Sequence, residues 1–236
     1  MDLLVPLLAR ARIGVRDMQA HSTREPYILL EYQSNEPRVF GVEVRPREAR
    51  GFQGVIAALR WLGRSKAFIN ELTFVVMALP RRAQIHEIQQ IARCASAEGL
   101  VNKLCLVAPP RAGSTIFQEL RHAGIRTLLS GVGSNSRFSD IADHCIDGIV
   151  IEPGLLSNAA GDPGAASILD AIVALSANLG IKSFANDCVS QSEFDFATSA
   201  GITYVTFGRP YLDKPTSRTT ARPRSTFRAA GDSMLS

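Results

Sequence analysis

From residue 85 to residue 207 the chain repeats one rhythm of apolar and polar positions. Apolar residues three or four apart give way to a glycine, one branched apolar residue, and a short run of the kind that forms a strand. The joints are Gly99-Leu100 before Lys103–Val107, Gly124-Ile125 before Arg126–Leu129, Gly180-Ile181 before Lys182–Ala185, and Gly201-Ile202 before Thr203–Phe207. Spacings of three and four place side chains on one helix face, as for Ile85, Ile88 and Ile91, or for Ile168, Ile172, Leu175 and Leu179. Glycine closes a helix well because it enters the left-handed conformation without a Cβ clash. Ser190 and Glu193 match a capping box opening the helix that ends at Gly201. Phe52, Val55, Ile56, Leu59 and Leu62 mark an earlier helix. Helix–glycine–strand, repeated, predicts parallel strands joined by helical crossovers.

Eight strands are expected: Tyr27–Tyr32, Arg38–Arg45, Leu72–Leu79, Lys103–Val107, Arg126–Leu129, Gly148–Ile151, Lys182–Ala185 and Thr203–Phe207. The turn-like Gln33–Pro37 makes the first two an antiparallel hairpin. This is the accounting of an α/β fold, a modified TIM-type (β/α)8 barrel with an antiparallel strand near its start. A doubly wound open sheet is the alternative, but no G-x-G-x-x-G follows a strand.

Composition narrows the class without naming a chemistry. A chain of 236 residues, 46% hydrophobic and 20% charged, suffices for one sizeable domain with its own core. No apolar run reaches the roughly 18–20 residues of a membrane span. Leu3–Leu8 is broken by Pro6, and Arg10, Arg12 and Arg16 follow it, the reverse of a secretory signal. Cytoplasmic residence is therefore expected. The net charge of +4 comes from the end of the chain, where Lys214, Arg218, Arg222, Arg224 and Arg228 face only Asp232. Its Ser, Thr, Pro and Arg content is that of a disordered tail, and nucleic-acid binding is not expected of it. Cys94, Cys105, Cys145 and Cys188 form no C-x-x-C pair and read as buried free thiols. His21, His86, His122 and His144 show no metal-ligand spacing, and Ser130 lacks the G-x-S-x-G setting of a nucleophile.

With the strands placed, residues Tyr27 to Pro210 resemble the EAL family of cyclic di-GMP phosphodiesterases. Thr206–Pro210 (TFGRP) looks like that family's closing F-G-R-P. Leu179-Gly180-Ile181 is similar to its L-G-L, and Leu120–Gly124 to its L-R-x-L-G. Gly41–Arg47 (GVEVRPR) stands where the family writes G-x-E-A-L-L-R. The resemblance implies a modified barrel whose second strand is antiparallel. The short spacing from Arg47 to Met77 implies one abbreviated crossover.

The catalytic positions depart from the family pattern one after another. Its D-D-F-G becomes Ser130-Gly131-Val132-Gly133, in which Gly133 is expected to serve the turn. Its K-I-D becomes Val150-Ile151-Glu152, and its A-E-G-V-E becomes Ala185-Asn186-Asp187-Cys188-Val189. The asparagine of its N-L-S falls on Met77, and its E-L-T-E on the carboxylate-free stretch Leu104–Pro110. Val205 runs almost directly into Phe207, where the family has a Q-G segment. Hard cations need several oxygen ligands, so the resemblance implies a lost Mg²⁺ or Mn²⁺ site, no catalytic residues and no cofactor. Glu43, Arg47 and Glu152 survive as vestigial ligand-binding candidates. Glu43 has two candidate donors, a guanine or Arg45.

The expected organisation is a helical lead-in over residues 1–26, the barrel over 27–213 and the basic tail over 214–236. The first functional reading is an inactive regulatory domain that acts through a protein partner in cyclic di-GMP signalling, with a homodimer as a further expectation. A non-hydrolysing sensor that binds cyclic di-GMP weakly is the second, and a phosphodiesterase with unfamiliar ligands the third.

Overall fold

Eight strands close on themselves in chain order, each paired with its neighbours and the last with the first. The computed structural model describes residues 24–33, 36–46, 51–64, 69–70, 72–134, 136, 141, 145–188 and 190–207. The tail over 214–236, Arg47, Gly208–Pro210 and nearly all of the 1–26 lead-in lie outside the described residues. The strands are β1 Arg24–Gln33, β2 Glu36–Pro46, β3 Phe74–Ala78, β4 Leu104–Ala108, β5 Arg126–Val132, β6 Gly148–Ile151, β7 Lys182–Cys188 and β8 Tyr204–Phe207. The helices are α1 Phe52–Arg64, α2 Ile85–Ala97, α3 Ser114–His122, α4 Pro153–Ala159, α5 Pro163–Asn178 and α6 Gln191–Ser199. The crossover expected to be short, between β2 and β3, contains all of α1.

The hairpin is present, and β1 is antiparallel to both β2 and β8. Strands β2 to β8 run parallel. The reversed strand is thus the first of the chain, where the resemblance implied the second. A hairpin alone does not say which arm is reversed; pairing of β2 alongside β3 decides it.

The glycine joints close as the pattern predicts. Gly99, Gly124, Gly180 and Gly201 all have φ between 67° and 82°. After each, the next backbone N–H reaches back into the last helical turn: Leu100 to Ala95, Ile125 to Leu120, Ile181 to Ser176, Ile202 to Ala197, at 2.8–3.0 Å. This is the Schellman arrangement, and its apolar residue plugs the core; Leu100, Ile125 and Ile202 are buried. At the other end of α6, Ser190 Oγ accepts from the Glu193 N–H at 3.2 Å, half of the predicted capping box.

Alternation along the strands produces two cores. Val76, Cys105, Val107, Leu128, Val150, Phe184 and Tyr204 fill the barrel interior, with Phe74 against them. The intervening residues, among them Val75, Met77, Leu104, Leu106, Leu129, Ile149, Ala185 and Val205, pack outward under the helices. The interior is therefore a packed core and not a channel. Its aromatic members stack, with Phe184 and Tyr204 centroids 4.6 Å apart and Phe74 edge-on to Tyr204 at 6.0 Å. Arg126 covers the outer face of Phe74 at 4.5 Å.

Candidate functional site

In a barrel of this kind chemistry belongs at the C-terminal ends of the parallel strands. On β2 that end carries Glu43 and Arg45, which share a face because they are two residues apart. Glu43 is 5% exposed and pairs in register with Val76 of the interior core. Arg45 grips it at both oxygens, Nε to Oε1 at 2.7 Å and Nη2 to Oε2 at 2.8 Å. Of the two donors weighed for Glu43, Arg45 is in place. A planar guanidinium holding both carboxylate oxygens satisfies a buried acid well, and a metal ion would have to displace it.

Two strands bend as they reach the mouth. On β5 the register with β6 shifts between Leu129 and Val132, and Gly131 within the shift has φ 69°. On β7 it shifts between Ala185 and Cys188. Each bulge flips the alternation, so Val132 and Cys188 turn outward into the helix-side core. These are the two strands on which the resemblance set pairs of acids. Within the bends, the residues presented at the mouth are Ser130 and Asn186, each half-buried.

This corrects the expected role of Gly133. The left-handed turn is made by Gly131; Gly133 is needed because a Cβ there would collide with the Glu152 carboxylate. Gly133 also donates its N–H to Ser136 Oγ at 2.9 Å. Met77 needs correction as well. It is wholly buried in the outer core, and the mouth-facing position after Val76 on β3 is Ala78. The sequence match ran one residue out of phase with the pleat.

Glu152 follows β6 and caps the start of α4. Its N–H donates to Val132 O at 2.9 Å and its carbonyl accepts from Leu155 N–H at 3.0 Å. The side chain is exposed and borders a cleft of ≈ 380 Å³ with Ser134, Asn158 and Asp162. Strands β2 and β6 are opposite one another in the closed order, so Glu43 and Glu152 are carried by opposite sides of the barrel wall. Arg47 lies outside the described residues. Among the described residues no three His, Cys, Asp or Glu side chains come together where they could hold an ion. Among the described residues these strand ends offer a divalent metal one acid engaged by arginine, one exposed acid, Glu152, one hydroxyl and one amide, a donor set poor in the free carboxylates that a hard cation needs.

Sequence reasoning missed the aromatic plug of Phe184 and Tyr204 and the re-aiming of Val132 and Cys188. Composition gave no signal for the bulges. The only trace was Gly131 itself.

A family model described as the EAL domain matches residues 83–206, more than half of the chain. Among solved structures, the PaMucR phosphodiesterase in a c-di-GMP complex is similar at 16% identity and TM-score 0.67, over 88% of this chain and 96% of that one. The EAL domain of Mycobacterium smegmatis DcpA gives 15% identity and TM-score 0.67, over 81% and 92%. A standalone versatile EAL protein from Vibrio cholerae O395, in its c-di-GMP bound form, gives 16% and 0.61, over 77% and 88%. At these identities the likeness is one of fold. No curated protein matches the chain.

Proposed function

The chain belongs to the EAL domain family, and from that premise we propose that it is a catalytically inactive regulator in cyclic di-GMP signalling, acting by contact with another protein. The observation that carries this reading is the mouth itself. Its two bulged strands present Ser130 and Asn186 where the family pattern sets acids, and its buried acid, Glu43, is engaged by Arg45, which leaves Glu152 at the exposed end of β6. Hydrolysis of a phosphodiester between two ions needs carboxylates to hold both metals and to set the attacking water. A barrel relieved of that duty can present its rim and helices as an interface, although a fold never specifies a role by itself. We place it in the cytoplasm, in line with the absence among the described residues of any helix long and apolar enough to cross a membrane.

Titration calorimetry of the purified protein separates this regulator from a sensor. With Mn²⁺ alone, no heat of binding is expected up to millimolar metal. With cyclic di-GMP, a micromolar affinity that disappears in Arg47→Ala would favour the metal-free sensor instead.

A further inference from the structure

We propose that three backbone carbonyls at the entrance of β3 form a seat for a primary ammonium group, filled in this protein by Lys103. The Lys103 side chain, half-buried just before β4, donates to Ile69 O at 2.7 Å, Leu72 O at 2.9 Å and Asn70 O at 3.1 Å. An ammonium has three donors in tetrahedral array and no acceptor, so three converging carbonyls use its full capacity. All three distances are those of direct N–H···O hydrogen bonds. The carbonyls are close together along the chain, and Leu72 N–H also donates to Ile69 O at 3.1 Å. Carbonyls that point together repel one another, and a cation between them relieves that repulsion.

The seat has a task in the barrel. The chain leaves it directly into β3, whose Val75 pairs with Leu104, the residue next to Lys103. The ammonium thus fixes the α1–β3 connection to the strand that β3 must join. The selectivity follows from geometry. A guanidinium is a flat fork in which no single nitrogen carries three donors, so it cannot serve three carbonyls that converge on one point. A calcium-like ion needs about 6–8 oxygens, where the seat offers three.

Chemical rescue tests it. Lys103→Ala removes the ammonium and leaves room for propylammonium, which has the missing atoms. In that variant, amide exchange across Leu72–Met77 should quicken about tenfold or more, the loss expected for charged hydrogen bonds, while β6 on the far side stays as in the wild type. Propylammonium at tens of millimolar should restore slow exchange and raise the melting temperature of the variant but not of the wild type. Potassium and guanidinium should restore neither, and Lys103→Met, which keeps the stem and fills the space, should not respond to propylammonium. If Lys103→Ala does not fold alone, refolding with propylammonium and not with potassium supports the seat. Unchanged exchange in Lys103→Met overturns it, as does equal rescue by potassium, or failure of the amine to refold or restore Lys103→Ala.

Discussion

Removing Arg45 while leaving Glu43 in place deprives a buried carboxylate of both hydrogen bonds from the guanidinium. A charge left short of partners inside a protein costs far more than a surface pair is worth. Because the Arg45 side chain is itself 32% exposed, the loss for Arg45→Met should be about 2 kcal/mol, read as a lower urea midpoint. Glu43→Gln added to Arg45→Met should recover part of it; an unaltered midpoint in Arg45→Met would show that the pair contributes nothing. Cys105 makes a second prediction. Burial in the barrel interior, then the Asp147 carboxylate, push its thiol from 9.0 up to about 12. The folded value lies above the unfolded one, so the unfolded thiol ionises first. Its contribution is fully present below pH 9 and drains away between pH 9 and 12, on the order of 1 kcal/mol per pH unit. Cys105→Ala should lack that fall in an alkaline stability series. Residue identity made Cys105 and Cys188 legible as buried thiols, but the same reading fails at Cys145, which is exposed, and holds only partly at Cys94. It left the Glu43 partner open, because the i, i+2 geometry that decides for Arg45 belongs to a strand and not to a motif.

At the scale of elements, the helix–glycine–strand joints were plain in the sequence because each is local. A left-handed glycine and the residue after it are set by the preceding helical turn alone. Gly180 has φ 67° and open space around a would-be Cβ, so Gly180→Ala tests backbone strain without a clash. It should cost about 1–2 kcal/mol, whereas Gly161→Ala, also in open space but without that φ, should be near neutral by thermal unfolding. Equal effects at the two sites would contradict the capping account. The bulges on β5 and β7, the phase of Met77 and the reversal of β1 were not legible, since each is a relation between strands. One inserted residue moves Val132 from the barrel interior to the helix side, and in Ser-Gly-Val-Gly only Gly131, which takes φ 69°, hints at it. Gly133 was misread for the same reason: its neighbour in space is Glu152, nineteen positions along the chain.

For the whole molecule, strand count and crossover pattern led to the barrel, and the family match over residues 83–206 agrees with it. The mouth was partly legible. The missing acids can be read from the sequence, but the bends on β5 and β7 cannot. Their coexistence is what makes the proposal of a silent site more than a list of substitutions. The most direct test is turnover. Purified protein incubated with cyclic di-GMP and Mn²⁺, followed by chromatography of the linear dinucleotide, should yield no more product than a protein-free blank. Product above that blank which disappears in Glu43→Gln would contradict the account.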